Sequence, residues 1–386
     1  MPGREGTQVS GVDGRSGVNG SVFSPLCTSF HGYLDTSLPR CRGGLADIVR
    51  ATVADFVAEQ CRALSGSNLG IAVDVLMPFL DGGKCLRSTF VYLGWMCGAD
   101  ADDAAVRAAA SFEILHAFAL LQDDVMDAAP IRPGRPSTHM QFARWHRERA
   151  LPGSAQRFGE SAAVLLGDLC LVWSEQMLRD SGLDDTALSR AWPRYDAMRT
   201  ELVVGQFADL VNDAGALPTL NEVLGVSRRK SGNYTVRRPL EIGAALAGCG
   251  EAVLRSLSDY GEAVGEAFQL RDDLLGVYGS PAITGKPIGG DLRDGNATSV
   301  VVAAYHLARG SLRRDLAELM SLRELAETDI AQWQRLIIAS GALALVEQMI
   351  DERLARALSV IADARLSDPV RGALAYMAGA CAERAA

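Results

Sequence analysis

The sequence predicts an all-α protein, and three observations support that prediction. Apolar residues recur every three or four positions over long stretches, glycine and proline clusters separate these stretches, and none alternates as a β-strand would. Apolar residues make up 48% of the 386-residue chain. A chain of this length and composition can form one large helical domain with a substantial buried interior.

The first 44 residues are predicted to form a disordered tail. Residues 1–19 are mostly glycine, serine and charged residues, so they cannot bury enough apolar surface to become ordered. The tail lacks the apolar stretch of a secretory signal, and its arginines are mixed with acidic residues, which is not typical of a transit peptide. Residues 45–386 are expected to form the folded domain.

Four long segments in that domain have the helical period. They are 45–64, 102–127, 160–180 and 323–366. Glycine and proline clusters at 130–136 and 279–290 predict loops. Charged residues interrupt all the alanine-rich segments, so we expect no transmembrane segment and a soluble protein.

Charge and cysteine usage limit the function classes. The net charge of -9 argues against a nucleic-acid partner, which would require a basic face. The cysteines lack the paired spacing of a metal site, and a chain of this size does not need disulfide bonds for stability. We interpret them as free thiols and expect a cytoplasmic protein. The cysteines are Cys27, Cys41, Cys61, Cys85, Cys97, Cys170, Cys249 and Cys381.

Two aspartate clusters lie inside apolar segments, at 123–127 and 272–276. Carboxylates are rare in such segments unless a cation neutralises them. On a helix, Asp123 and Asp127 would lie one turn apart on the same face, where their oxygen atoms can share hard divalent cations. The sequence therefore predicts Mg²⁺ held against a diphosphate.

The motifs around these clusters resemble those of the trans-isoprenyl diphosphate synthases, the polyprenyl synthetase family, over nearly all of the chain after Leu45. In chain order they are GGKCLRS (82–88), FEILH (112–116), LLQDDVMDAAPIRPGRPSTH (120–139), GQFADL (205–210), KSGNYTVRRPLEIGAALAG (230–248) and FQLRDDLLGVYGSPAITGKPIGGDL (268–292). An ordered set is far more specific than one isolated aspartate motif. The resemblance implies the isoprenoid synthase fold, a single large bundle of antiparallel helices around a central cavity, and a homodimer.

The resemblance also implies a reaction. An allylic diphosphate ionises, the double bond of isopentenyl diphosphate attacks the allylic cation, and a proton leaves. The protein must therefore stabilise a departing diphosphate and shield a carbocation. The implied metal ligands are Asp123, Asp127 and Asp272, and the implied catalytic set adds Lys230 and Gln269. Arg132 and Lys286 are implied around the allylic diphosphate, and Lys84, Arg87 and His116 around isopentenyl diphosphate.

Product length is predicted from two residues before the first aspartate cluster. Ala119 lies one helical turn before Asp123 on the same face, and its small side chain leaves room for a growing prenyl tail. Phe118 is the first bulky neighbour. By resemblance, this pair is typical of enzymes that make the twenty-carbon geranylgeranyl diphosphate.

Several positions depart from the family pattern. Pro133 and Asn296 replace an arginine and a lysine, which puts diphosphate binding in question. The other departures are Cys85, Ser231 and Gly276, the last of which removes a third aspartate. The other cations that the sequence offers as replacements are Arg135, Arg237 and Arg293.

Three hypotheses follow from these motifs and departures. The first is a Mg²⁺-dependent synthase of geranylgeranyl diphosphate. The second is a family member that transfers the prenyl group to a non-isoprenoid acceptor or cyclises it as a terpene synthase. The third is a non-catalytic subunit of a hetero-oligomeric synthase. The intact carboxylates argue against the third hypothesis.

Overall fold

The computed structural model describes residues 44–63, 70–81, 83–132, 135–213, 217–280, 288–322 and 324–383. These residues are almost entirely helical, which confirms the predicted fold class. A hairpin of two short antiparallel strands, β1 (Ile131–Arg132) and β2 (Arg135–Pro136), is the exception in this part of the chain. Except for Gly44, the predicted disordered tail lies outside the described residues.

The described helices follow in chain order. They are α1 (Leu45–Ala63), α2 (Gly70–Asp81), α3 (Leu86–Met96), α4 (Asp103–Met126), α5 (Thr138–Glu148), α6 (Ala155–Arg179), α7 (Asp185–Asp213), α8 (Leu220–Ser227), a π-helix (Arg228–Arg237), α9 (Arg238–Leu246), α10 (Glu251–Tyr278), α11 (Gly290–Arg293), α12 (Ser299–Leu307), α13 (Gly310–Met320), α14 (Glu327–Ser340), α15 (Ala342–Asp363) and α16 (Asp368–Ala382).

Helix α4 is a central element of the bundle and carries the first aspartate cluster at its end. It packs against α1, α3 and α6, and most of its side chains up to Leu121 are buried. The Asp102 carboxylate caps its first turn by accepting from the N–H of Ala104 at 2.6 Å. At the other end, the N–H of Asp127 donates to the carbonyl of Asp123 at 2.9 Å. Asp123 and Asp127 are therefore one turn apart, as their spacing predicts.

Two core helices resemble membrane spans in length and composition. Helices α4 and α6 are both long and apolar enough to cross a membrane. The sequence analysis did not predict this, because it expected no transmembrane segment. The apolar window of α4 is 67% buried inside the protein and that of α6 is 44% buried. The two helices pack against each other, and core helices of water-soluble proteins meet the same criterion.

The π-helix packs tightly between α7 and α10 because glycines line its contacts. A Cβ atom on Gly265 of α10 would lie 2.6 Å from the carbonyl oxygen of Gly232. A Cβ atom on Gly205 of α7 would lie 2.6 Å from the backbone nitrogen of Lys230. Only glycine permits such close backbone approach. These contacts place Lys230 beside α7.

The fourth predicted helical segment, 323–366, divides into two helices. Gly341 adopts φ 84°, a left-handed conformation that ends α14 at Ser340. Helix α15 starts at the next residue and packs along α10. Together with α12, these helices form a second apolar cluster below the end of α10 that carries the second aspartate cluster.

The short helix α11 contacts α10 at Gly276. The Asp291 carboxylate fills the space beside this glycine, where an added Cβ atom would lie 1.8 Å from Asp291 Oδ2. The Asn296 amide donates to Asp291 Oδ1 at 3.3 Å. Helix α11 thus lies against the second aspartate cluster.

We predict that Gly276→Ala lowers stability by about 1 kcal/mol, because the Asp291 carboxylate must move away from Asn296. Thermal melting checks this. The double variant Gly276→Ala/Asp291→Ala should recover most of the loss, since the two residues are in contact. Gly372→Ala in α16 is the control, because nothing lies within 4 Å of the added Cβ atom. An unchanged melting temperature for Gly276→Ala would contradict the contact.

Candidate functional site

The two aspartate clusters share one arrangement, in which the first aspartate reaches solvent and the second is buried. Asp123 is 30% exposed and Asp272 is exposed. Asp124 and Asp273 are only 2% and 5% exposed. Because buried carboxylates require partners inside the protein, a ligand can reach the first aspartate of each adjacent pair but not the second. Asp127, the third aspartate of the first cluster, is also exposed.

Asp124 is the anchor for Arg132. Nε of Arg132 donates to Asp124 Oδ1 at 2.6 Å, and Nη2 donates to the carbonyl of Leu120 at 3.0 Å. Burial raises the pKa of Asp124, and the charge and hydrogen bond of Arg132 oppose that rise. Nη2 of Arg132 also lies 3.9 Å from Asp123 Oδ2. Arg132 is therefore beside the first cluster, where the resemblance implies a cation.

Asp273 holds the start of α12. Its Oδ2 accepts from the N–H and hydroxyl of Ser299 at 2.9 and 2.5 Å. Its Oδ1 accepts from Nε2 of Gln269 at 2.9 Å. Burial raises the pKa of Asp273 to about 6, while these hydrogen bonds lower it. Gln269, which the resemblance implies near the ionising carbon, thus directs its amide nitrogen to Asp273.

Lys230 connects the first cluster to α7. Its Nζ lies 2.7 Å from Asp209 Oδ2 and 3.4 Å from Asp123 Oδ1. Burial alone would lower the pKa of Lys230, but these two carboxylates raise it above its usual value. Asp127 adds to the same effect. The lysine is thus a fixed positive charge at the solvent-facing aspartates.

Arg87 and His116 meet around one aromatic ring. The Arg87 guanidinium lies over the ring of Tyr234 at 4.4 Å and donates to the Thr235 hydroxyl at 2.9 Å. The rings of His116 and Tyr234 are 6.3 Å apart. Burial lowers the pKa of His116 well below its usual value, and the charges of Arg87 and Arg132 lower it further. Burial and these charges therefore favour the neutral form of His116.

The loop before α3 presents Lys84 to solvent. Arg50 of α1 holds this loop by donating from Nη1 to the carbonyl of Gly83 at 3.1 Å. Cys85 adopts φ 50° at the start of α3, and the Thr89 hydroxyl donates to its carbonyl at 2.7 Å. Lys84 and Arg87 are therefore carried by one anchored loop and the first turn of the helix that follows.

Two of the three arginines that the sequence offers as replacement cations are already paired elsewhere. Nε of Arg237 donates to Glu241 at 3.1 Å and to the Ser258 hydroxyl at 3.0 Å. Nη2 of Arg293 donates to Glu327 at 2.6 Å. Arg135 is the third of these arginines and lies on β2 opposite Arg132. Pro133 and Lys286 lie outside the described residues.

Ala119 and Phe118 lie in the last turns of α4 before the aspartates. Both are partly buried and pack against the main apolar core. Ala119 precedes Asp123 by one turn, so it lies on the same helix face. The position fits the predicted role in product length.

The donor set fits Mg²⁺ only if the ion is shared with a ligand. Asp123, Asp127 and Asp272 offer hard carboxylate oxygens that solvent reaches. In the described part of the chain, no three His, Cys, Asp or Glu side chains gather closely enough to hold a metal by themselves. Mg²⁺ is commonly bound by one or two carboxylates together with substrate phosphates and water. The residues therefore fit an ion held jointly with a diphosphate.

A surface groove of about 290 Å³ lies elsewhere, between α1 and the start of α4. Its charged lining residues are Asp55, Glu59, Arg62 and Arg107. Arg107 is at the opposite end of α4 from the aspartates. We assign the candidate site to the aspartate clusters, because Arg132 and Lys230 both lie within 4 Å of an Asp123 oxygen.

Three residues of the site have no role in the sequence-based prediction. Asp209 pairs with Lys230, Arg50 anchors the Lys84 loop, and Tyr234 supports Arg87. Asp209 and Tyr234 are within motifs that the sequence analysis identified, so the motif was the available signal. No sequence pattern indicates Arg50, because its role depends on α1 lying beside α3.

Comparison with known proteins identifies what the whole chain is similar to. The profile of the polyprenyl synthetase family matches residues 73–337. Geranylgeranyl diphosphate synthase of Mycobacterium tuberculosis is 32% identical over 85% of this chain and 88% of its own length. Geranylfarnesyl diphosphate synthase of Aeropyrum pernix is 30% identical over 80% of this chain and 90% of its own length.

A solved structure extends the similarity to the fold. Geranylgeranyl pyrophosphate synthase from Corynebacterium glutamicum, complexed with isoprenyl diphosphate and magnesium, is 34% identical. The TM-score is 0.84, over 88% of this chain and 99% of that one. The helical bundle is thus the isoprenoid synthase fold. The chain belongs to the polyprenyl synthetase family.

Proposed function

We propose that this prenyl-transferring enzyme condenses isopentenyl diphosphate with allylic diphosphates in a Mg²⁺-dependent reaction, with geranylgeranyl diphosphate as its main product. The observation that carries the proposal is the contact of Lys230 with Asp123 at the solvent-reaching end of α4. Lys230 supplies a fixed positive charge, and the Asp123 carboxylate supplies a ligand for a metal ion. Positive charge from both sources would stabilise a departing diphosphate. The M. tuberculosis and C. glutamicum relatives support the twenty-carbon product.

Asp123, Asp127 and Asp272 are the residues that would hold Mg²⁺. When bound, the ions neutralise the charge that develops on the leaving diphosphate. Lys230 and Arg132 add positive charge at the same point, since both lie within 4 Å of an Asp123 oxygen. They need little reorganisation during the reaction, because Asp209 and Asp124 hold them in place.

Arg87 and His116 are proposed to bind isopentenyl diphosphate, with Lys84 at the entrance. Arg87 is oriented by Tyr234 and Thr235, which leaves its charge available to phosphate oxygens. Neutral His116 can donate one ring N–H without adding charge beside the carbocation. The released diphosphate is the proposed base for the final proton.

The enzyme is proposed to act as a homodimer in the cytoplasm. Helices α6 and α7 are adjacent, since Glu175 pairs with Arg199 at 2.9 Å. Both expose large apolar side chains: Leu165 and Val172 on α6, and Val203, Val204, Phe207 and Val211 on α7. An exposed apolar surface of this kind is typical of a protein interface. The cytoplasmic location rests on the sequence alone.

We predict that Asp123→Asn and Asp127→Asn lower kcat by on the order of 100- to 1,000-fold, because each loses a ligand charge where the leaving group departs. Turnover with radiolabelled isopentenyl diphosphate checks this, and circular dichroism checks the fold. Asp259→Asn, an exposed aspartate on α10, is the control and should keep parental activity. Near-normal activity in either test variant would exclude the metal assignment.

We predict that Ala119→Phe shortens the main product from twenty to fifteen carbons, because the added ring meets the tail one turn below the aspartates. Phe118→Ala should lengthen the product. The stability cost of the second change should be less than the roughly 3 to 5 kcal/mol of a fully buried ring, since Phe118 is partly exposed. Mass spectrometry of the products of each variant measures their chain length. Ala119→Ser is the control of nearly unchanged size. Identical products in all variants would show that neither Ala119 nor Phe118 lines the tunnel.

We predict that Phe207→Asp converts the dimer to a monomer, because a charge replaces the most exposed apolar side chain of the surface, which is 69% exposed. Light scattering after size exclusion should give a mass near 41.1 kDa for the variant and twice that for the parent. Ile338→Asp on α14, also exposed, should leave the dimer intact. A monomeric parent would refute the homodimer.

A further inference from the structure

A buried carboxylate on α10 is bonded to two arginines from two other helices. Glu266 is only 8% exposed. Its Oε1 accepts a hydrogen bond from Nε of Arg228, the first residue of the π-helix, at 2.7 Å. Its Oε2 accepts from Nε of Arg353 on α15, also at 2.7 Å. Both oxygens of the carboxylate are therefore occupied, and the side chain joins three helices.

This carboxylate belongs to the contact between the π-helix and α10. A Cβ atom on Gly232 of the π-helix would lie 3.0 Å from the carbonyl carbon of Gly265 and 3.5 Å from the backbone nitrogen of Glu266. Glu266 thus attaches the π-helix to α10 through Arg228, the first residue of the π-helix. The two glycines hold the same helices together four residues later.

Lys230 lies between these two points of attachment. It follows Arg228 by two residues and precedes Gly232 by two. On the other side its backbone contacts α7, because a Cβ atom on Gly205 would lie 2.6 Å from the backbone nitrogen of Lys230. The position of Lys230 opposite Asp123 therefore depends on how firmly the π-helix is attached to α10.

Stability alone does not explain a charged group at this contact. Replacing a buried ion pair by apolar residues of similar size is often neutral for stability, or even stabilising. π-Helices are rare and mostly occur as single turns at functional sites, whereas this one spans ten residues. The charge of Glu266 is therefore better explained by the register that it imposes on the π-helix than by the free energy of unfolding that it contributes.

We propose that Glu266 is a positioning residue, which fixes Lys230 opposite Asp123 by bonding Arg228 at the start of the π-helix. Glu266 acts through Lys230 and not by contact with the reacting atoms. The proposal rests on the proposed function, because it takes the charge of Lys230 to stabilise the leaving diphosphate.

The kinetic test compares Glu266→Gln and Arg228→Met with the parent. Both variants should lower kcat about tenfold or more, because a misplacement of roughly 1 Å in a catalytic site can cost on the order of 100-fold in rate. The Michaelis constant for isopentenyl diphosphate should change less than about twofold, since Lys230 acts at the leaving group. In a Lys230→Met background, Glu266→Gln should cause no further loss of kcat, because the side chain that it positions is already absent.

The lysine content of the chain supplies a readout that does not depend on turnover. The sequence contains only three lysines, Lys84, Lys230 and Lys286. In the parent, Lys230 is 27% exposed and lies against two carboxylates, so an amine-specific acylating reagent should modify it more slowly than the exposed Lys84. Glu266→Gln should raise the rate for Lys230 several-fold relative to Lys84, as measured by mass spectrometry of the peptides.

Arg190→Met is the matched control for a general loss of stability. Arg190 on α7 donates to the carbonyls of Ala245 and Leu246, at the end of α9, at 2.9 and 2.8 Å. Its loss removes hydrogen bonds between helices without touching the π-helix. The variant should lower the melting temperature but keep the parental kcat and the parental labelling of Lys230.

Arg228→Met keeps the proposal testable if Glu266→Gln does not fold. The Arg228 side chain is 43% exposed, and its removal leaves Glu266 bonded to Arg353. This variant therefore loses the attachment of the π-helix without leaving a buried carboxylate unpaired.

Each outcome has a distinct meaning. Parental labelling of Lys230 in both Glu266→Gln and Arg228→Met overturns the positioning role, whatever the value of kcat, and leaves the proposed function intact. Parental kcat in both variants, or a further loss of kcat in the Lys230→Met background, also overturns it. An equal loss of kcat in Arg190→Met would reduce the effect to general stability. A parent protein that neither binds nor consumes isopentenyl diphosphate refutes the proposed function itself, while the labelling of Lys230 still tests the attachment.

Discussion

The contact between Lys230 and the Asp123 carboxylate depends on how closely three helices pack. Gly205 on α7 and the Gly232–Gly265 contact with α10 let the π-helix lie against its neighbours, and this brings the lysine to the end of α4. A larger residue at any of these glycines would force the backbones apart. The electrostatics of the site are therefore set by backbone packing, and the charged side chains occupy positions that the glycines make available.

The buried aspartate of each cluster has a structural task that differs from that of its exposed neighbour. Asp124 fixes Arg132 and the hairpin after α4, while Asp273 fixes Ser299 and the start of α12. An unpaired buried carboxylate would be costly, so these segments are bound firmly to the cluster that they follow. Consecutive aspartates on a helix point in different directions, which lets one hold the fold while the other faces the ligand.

The departures from the family pattern are explained in part by contacts that only the structure reveals. Gly276 lacks a side chain where the Asp291 carboxylate lies, and Asn296 donates to that same carboxylate. These two positions therefore belong to one local arrangement, although 20 residues separate them in the numbering. Arg237 and Arg293 are paired with Glu241 and Glu327.

The sequence by itself determined the helical class, the helical segment that begins at Leu45, the one-turn spacing of Asp123 and Asp127, and the family, because periodicity and ordered motifs are local properties of the chain. It did not determine which aspartate of each pair is buried, or that Asp209 and Glu266 bind Lys230 and Arg228. Those partners come from distant helices. Only tertiary packing decides them, since burial and charge pairing depend on which helix faces meet.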